Sequence, residues 1–218
     1  MVNSVSRKPT SRLFKSVVAV SALTVAAVVT GFFLWQRSPA NLAHEGAQAR
    51  AQLLQQWSAG EIAVLVRHAE RCDRSSNPCL GPADGITRVG SEAAAGVGQG
   101  LARLGLTQTD ILTSPVTRTV QTAHYMFNSD PRTQEWLATC GTTLRNDVVA
   151  HKVAHRNLVL MTHSGCIADF EKQTGFKHSA KDAEYTSALF VHIDGHGQLQ
   201  VLGIVNAEDW NTLLQEKN

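Results

Sequence analysis

Hydrophobic residues are distributed along the chain in four distinct ways, and each predicts a different element. Val17 to Trp35 is almost wholly apolar, and no charged residue occurs from Ser16 to Gln36. A helix of about 20 such residues spans a bilayer core of roughly 30 Å. The second pattern is a short, bounded apolar run. Ala63-Val64-Leu65-Val66 within 61–67, and Asn157 to Thr162 further on, have the length and composition of strands buried on both faces; Asp110 to Thr113 reads as a third. The third pattern is helical. A linker helix is expected within 41–60. Thr87 is placed to cap a helix over about 88–104, Ser114-Pro115 to open one running to about Phe127, and further helices fall at about 142–154 and 165–173. Last, Leu189 to Ile193 and Gln200 to Val205 alternate around Gly195–Gly197, the pattern of a terminal hairpin. Residues 69–86 are rich in Cys, Pro, Gly, Asn and Asp and form a loop, and 128–140 are irregular or hold a short strand. Strands alternating with helices define an α/β domain with a mostly parallel central sheet.

Charge sharpens the reading of the first segment. Of 20 basic residues, the first 40 positions hold Arg7, Lys8, Arg12, Lys15 and Arg37 with no acid, which leaves 15 basic against 18 acidic residues elsewhere. Four cations ahead of the apolar run predict a cytoplasmic N-terminus and an exported remainder. Phe32, Phe33 and Trp35 sit where interfacial aromatics anchor the outer end. The run exceeds the ~7–15 residues of a signal-peptide core, which favours an uncleaved signal anchor; Ser38-Pro39-Ala40 would otherwise offer a cut after Ala40. The expected organisation is a basic segment at 1–15, a transmembrane anchor at 16–36, a linker helix at 37–60 and one domain at 61–218. The domain would lie in the periplasm or another extracytoplasmic space. No basic stripe with interleaved aromatics is present, so a nucleic-acid partner is not expected.

Cysteine usage agrees with export. Cys72, Cys79, Cys140 and Cys166 are an even set behind an export signal, and disulfides persist in oxidising compartments. Four cysteines allow three pairings, among which sequence alone does not choose. The preferred one joins Cys72 to Cys79 across a short Pro-containing loop and Cys140 to Cys166. Zinc is the competing use, but paired C-x-x-C spacing is missing.

The residues able to do chemistry stand at strand ends. The first strand ends in Arg67-His68, the second runs into Ser114-Pro115-Val116-Thr117-Arg118-Thr119, and the third ends in Thr162-His163. Ligand sites of open α/β sheets lie beyond the carboxyl ends of the strands, so two imidazoles and two guanidinium groups can share one pocket. Arginine forks suit the spread negative charge of a phosphoryl group, and an imidazole with one free nitrogen is a nucleophile. No P-loop and no acidic pair spaced for magnesium occur in the sequence. No cofactor or metal is therefore expected.

Four ordered segments carry a resemblance to a known family. Val64-Leu65-Val66-Arg67-His68-Ala69-Glu70-Arg71 resembles the Arg-His-Gly signature of the histidine phosphatase superfamily, whose fold is phosphoglycerate-mutase-like. Ile86 to Ala93 is similar to the segment opening its first helix, Ser114 to Ala123 to its second-arginine motif, and Val159 to His163 to its second-histidine motif. A narrower resemblance, through Arg67 to Leu80, Leu137 to Gly141 and Thr162 to Cys166, is to the lipopolysaccharide core heptose(II)-phosphate phosphatases, a periplasmic family. The resemblance implies a three-layer α/β sandwich and a phosphomonoester hydrolase that works through a phosphohistidine. His68 would be the nucleophile, with Arg67, Arg118 and His163 around the phosphoryl group and Arg71 or Arg74 adding a substrate contact from the loop. The implied substrate is a phosphorylated small molecule or glycan. Ala69 replaces the usual glycine, and Ser164 follows His163 where some members carry an aspartate. Glu135, Glu70 and Asp73 are the candidates for the proton donor. A catalytically silent anchored domain that binds phosphorylated glycans is the alternative, and a phosphomutase is disfavoured by the exported location. His151 and His155, at i,i+4 on an expected helix, read as a solvated face, and His178, His192 and His196 receive no role.

Overall fold

The computed structural model describes residues 16–21, 23–25, 28, 38–177 and 184–215. The chain divides into two compact units, Met1–Arg37 and Ser38–Asn218. In the first, the described positions are helical and exposed. Among the described residues no helix is long and apolar enough to cross a membrane. Most of the expected anchor at 16–36, including Phe32, Phe33 and Trp35, lies outside the described residues, as do Arg7 to Lys15 and His178.

The second unit runs α1 (Ala47–Ser58), β1 (Ile62–Arg67), α2 (Arg88–Leu104), β2 (Thr109–Thr113), α3 (Thr117–Phe127), β3 (Arg132–Thr133), α4 (Trp136–Thr139), α5 (Leu144–His151), β4 (Asn157–Thr162), α6 (Ser164–Gln173), β5 (Ala188–Ile193), β6 (Leu199–Val205) and α7 (Trp210–Leu214). The six strands form one sheet in the order β3-β2-β4-β1-β5-β6. β1, β2, β3 and β4 pair in parallel, whereas β5 runs antiparallel to both β1 and β6. The sheet is thus mostly parallel, with an antiparallel hairpin at one side.

Alternation of side chains along the strands builds a core on each face. Val64, Val66, Val159, Met161 and Phe190 point to one side, against Leu53 and Trp57 of α1, Ala94, Val97 and Leu101 of α2, Ala123 of α3 and Trp210 of α7. Ala63, Leu65, Leu158, Leu160 and Leu189 point to the other, against Leu137 of α4, Leu144 and Val148 of α5, and Phe170 of α6. Two buried faces explain why β1 and β4 read as unbroken apolar runs. The result is the expected three-layer sandwich.

Several local expectations are corrected. Ser114 does not cap α3. The helix starts at Thr117 with Val116 before it, because Ser114-Pro115 completes the turn out of β2 and the Ser114 hydroxyl is engaged elsewhere. The helix expected to about 154 stops at His151, and His155 beyond it has a left-handed backbone (φ 57°), so the two histidines do not share a helical face. His151 stacks on Trp136 instead, with ring centroids 4.6 Å apart. Two glycines of α2 allow close contact with neighbouring helices. A side chain at Gly98 would strike the Met126 carbonyl of α3, and one at Gly100 the Trp210 ring.

Candidate active site

β1, β2 and β4 end side by side, and their last residues bring the chemistry together. The neighbours Arg67 and Thr162 pair across β1 and β4, and Thr113 pairs with Met161 across β2 and β4. His68, Ser114 and His163 each follow directly. Main-chain bonds continue past the strands: His68 N donates to Thr162 O at 3.0 Å and Ser114 N to Met161 O at 3.0 Å. The His68 and His163 rings meet edge to face with centroids 5.5 Å apart. Arg67, His68, Arg118 and His163, proposed from three separate stretches of sequence, therefore occupy one site.

His68 is buried, with 4% of its surface exposed. Its Nδ1 lies 2.8 Å from the Ala69 carbonyl oxygen, which only accepts, so Nδ1 carries the proton and Nε2 keeps its lone pair. Burial pushes the imidazole pKa down to about 3, helped by the positive field of Arg118 and Arg67 and by His163. A neutral ring with a free Nε2 is the form able to attack phosphorus. The Ala69 peptide is itself fixed, because its N–H donates to Thr122 Oγ1 at 2.9 Å while that hydroxyl donates to Arg118 O at 2.6 Å. One buried threonine on α3 thereby ties the His68 turn to the backbone of Arg118.

His163 has the opposite tautomer. Arg118 Nη2 donates to its Nδ1 at 3.2 Å, so Nε2 carries the hydrogen and donates to Ser114 Oγ at 3.0 Å. Burial, then the charges of Arg118 and Arg71, depress its pKa to about 4. Arg118 Nε is buried and has no hydrogen-bond partner among the described residues. Burial lowers the Arg118 pKa, and the neighbouring charges of Arg71 and Arg74 lower it further. Arg74 also acts on Arg67. Four guanidinium groups thus act on this site with two neutral imidazoles, offset in part by Asp73, Asp84 and Glu184, a field that suits an anion.

The loop between β1 and α2 delivers Arg71 and Arg74, and it is strongly constrained. The structure pairs Cys72 with Cys79 across it and Cys140 with Cys166 between α4 and α6, leaving no free cysteine among the described residues. Bridges join Arg71 to Ile86 and Cys79 to Thr87, and Gln121 of α3 accepts from Ile86 N at 2.8 Å. Thr87 accepts from Gly90 N at 3.0 Å and so caps α2, while its hydroxyl donates to Glu70 Oε2 at 2.6 Å.

Those contacts bear on the proton donor. Glu70 also accepts from Asn77 Nδ2 at 2.9 Å, and the two side-chain bonds hold its carboxyl below the usual range. Asp73 is paired with Arg71, which lowers its pKa likewise. In both, these contacts favour the ionised form over the acid. Glu135 is exposed at the start of α4, on the same edge of the sheet, where Gln134 N donates to Thr113 O at 2.8 Å.

Two residues were not foreseen. Ser114 orients His163, and its position straight after a strand was the available signal. Tyr185, just ahead of β5, packs its ring against His68 with centroids 5.8 Å apart and lies under the Arg67 guanidinium, 4.1 Å from the ring centre. No motif marks it; only the pairing of β5 beside β1 brings it there.

The comparisons fit this geometry. No family model matches the chain. The structure is similar to the protein histidine phosphatase SixA complexed with tungstate (TM-score 0.55, 14% identity, 68% of this chain and 98% of that one). It is also similar to phosphoglycerate mutase from Bacillus anthracis (TM-score 0.52, 11% identity, 72% and 99%). Both likenesses show the fold. In sequence, the chain is 30% identical over 177 residues to the lipopolysaccharide core heptose(II)-phosphate phosphatase of Salmonella newport, covering 79% of this chain and 84% of the relative. The Salmonella paratyphi B protein of that name is 29% identical over 181 residues, covering 81% and 86%. The chain belongs to the lipopolysaccharide core heptose(II)-phosphate phosphatase family.

Proposed function

We propose that the protein hydrolyses a phosphomonoester on a lipopolysaccharide core sugar, a heptose phosphate, on the outer side of the cytoplasmic membrane. His68 Nε2 attacks phosphorus as the ester P–O bond breaks, and the leaving oxygen takes a proton. Water then attacks the phosphohistidine, breaking the P–N bond, and releases inorganic phosphate with His68 regenerated. Arg67, Arg118 and His163 surround the transferring oxygens, and Arg71 and Arg74 add positive charge from the disulfide-closed loop. Glu135 is the proton donor, since its carboxylate is not tied into the loop as those of Glu70 and Asp73 are. The observation that carries the reading is the buried, neutral His68 whose Nδ1–H is bonded to Ala69 O, with a second neutral imidazole and the arginine cluster around it.

The sugar substrate is supported by the family. The location is supported by the uncharged stretch from Ser16 to Gln36 behind four cations, and by two disulfides, which suit an oxidising compartment. The stretch 16–36 would hold the protein at the membrane, with 1–15 in the cytoplasm and the compact unit that begins at Ser38 outside it.

The test is phosphate release by the full-length protein in detergent, from p-nitrophenyl phosphate and from phosphorylated core oligosaccharide. Activity on both, unaffected by EDTA and reduced about tenfold or more in Glu135→Gln, is expected. Hydrolysis of the aryl ester with no action on the oligosaccharide would overturn the substrate assignment.

A further inference from the structure

We propose that Tyr185 is a positioning residue of the phosphoryl site: its ring is the platform that holds the Arg67 guanidinium in place beside His68. The proposal rests on the phosphatase reading and assigns a residue to it that lies outside every motif of the sequence. Two independent observations carry it. One is contact: the same ring lies 4.1 Å below the Arg67 guanidinium carbon and 5.8 Å from the His68 ring centre, so it touches both groups that meet a phosphoryl. A guanidinium stacked on an aromatic face has its position and plane fixed, and the Tyr185 side chain also hydrogen-bonds the Arg67 guanidinium.

The other observation is backbone conformation. Thr186, next in sequence, is fully buried and adopts φ 62°. A β-branched residue in the left-handed region is strained and persists only where surroundings over-determine it, and such residues gather at functional sites. Here the surroundings are the site itself. Arg67 N donates to Ser187 O at 2.9 Å, and Thr186 N approaches His68 O at 3.4 Å. Main-chain bonds to both residues that the ring touches therefore set the direction in which Tyr185 leaves the chain. A surface aromatic with a packing role alone would need neither the strained neighbour nor the paired bonds.

Tyr185→Ala, Tyr185→Leu and Tyr185→Phe test this in the full-length protein. Three readouts are needed: the tungstate dissociation constant by calorimetry, KM and kcat on p-nitrophenyl phosphate, and the melting temperature. Loss of the ring is expected to weaken tungstate binding and raise KM by about tenfold to thirtyfold, the size of a desolvated cation–π contact. Tyr185→Phe, which keeps the ring but loses the hydroxyl that hydrogen-bonds Arg67, is expected to lose about fivefold or less in both, clearly less than the Leu variant. Should Tyr185→Ala fail to fold, Tyr185→Leu keeps bulk without an aromatic face and is expected to show the same loss. Wild-type tungstate affinity in Tyr185→Leu overturns the proposal, as does a Phe variant as weak as the Leu variant. Absence of His68-dependent turnover in the wild-type protein would count against the phosphatase reading, while the tungstate affinities would still decide the role of the ring.

Discussion

Thr122→Val isolates the link between fold and chemistry. The two side chains have nearly the same shape, so the substitution removes a hydroxyl and little else. That hydroxyl accepts from Ala69 N at 2.9 Å, and both residues are fully buried. Without it the Ala69 N–H is left in the core with no partner, which costs roughly 1–3 kcal/mol. The Arg118 carbonyl is less affected, because it also sits in the backbone ladder of α3. About 2 kcal/mol in a domain of this size corresponds to a fall in melting temperature of about 4–8 °C. Activity should fall as well. The Ala69 carbonyl is the acceptor for His68 Nδ1–H, so a loosened Ala69 peptide frees the imidazole to rotate and to exchange tautomers. Small misplacements of a reacting group cost up to about 10²-fold, and a drop in kcat of at least about tenfold, with KM little changed, is expected. Urea denaturation followed by tryptophan fluorescence, with steady-state kinetics on p-nitrophenyl phosphate, measures both effects. Thr122→Ser should recover most of each. A Thr122→Val protein with wild-type stability and wild-type kcat would refute the reasoning.

Three further outcomes are expected. His68 resists protonation in the folded state down to a pKa of about 3 while an unfolded histidine takes a proton near 6.5, so the unfolded state binds more protons between those values. Its contribution is present in full above pH 6.5 and is lost as pH falls from there toward 3, with a limiting slope of about 1.4 kcal/mol per pH unit; His68→Asn should flatten the measured stability–pH curve in that window. Arg118→Lys keeps the charge but loses the planar fork that reaches His163, and kcat/KM should fall by about tenfold or more while the melting temperature barely moves. Replacing Cys72 and Cys79 together by alanine frees the loop bearing Arg71 and Arg74, and KM should rise severalfold with a smaller change in kcat, whereas a response of kcat alone would count against a binding role for the loop.

Much of the fold was open to reading because its signals are local. β1 and β4 are buried on both faces and therefore appear as unbroken apolar runs. α2 begins where Thr87 predicts, because the cap bond to Gly90 N needs nothing from outside the helix. The start of α3 was misjudged because the Ser114 hydroxyl serves His163, a tertiary demand that overrides a capping preference. The extent of the helix ending at His151 was misjudged for lack of a stop signal, the turn being made by a residue, His155, that tolerates the left-handed region. At the site, His68, Arg67, Arg118 and His163 were legible because each ends or follows a parallel strand within a recognisable motif. Tyr185 was not. It reaches His68 only because β5 inserts beside β1 in antiparallel register, Val66 opposite Ala188, and hairpin periodicity does not say which strand a hairpin will join. The engagement of two of the three expected acids was hidden for a comparable reason: Glu70 is close in sequence to His68, but Thr87 and Asn77 claim its carboxylate, as Arg71 claims that of Asp73.

The central claim is that His68 carries the phosphoryl group during turnover. Rapid quenching of the wild-type protein with a ³²P-labelled phosphomonoester, followed by denaturing separation at alkaline pH, tests it directly. The account predicts label on the protein that survives base, is lost in acid and maps to His68. Label at another residue, or a His68→Ala protein that still releases phosphate at the wild-type rate, would contradict it.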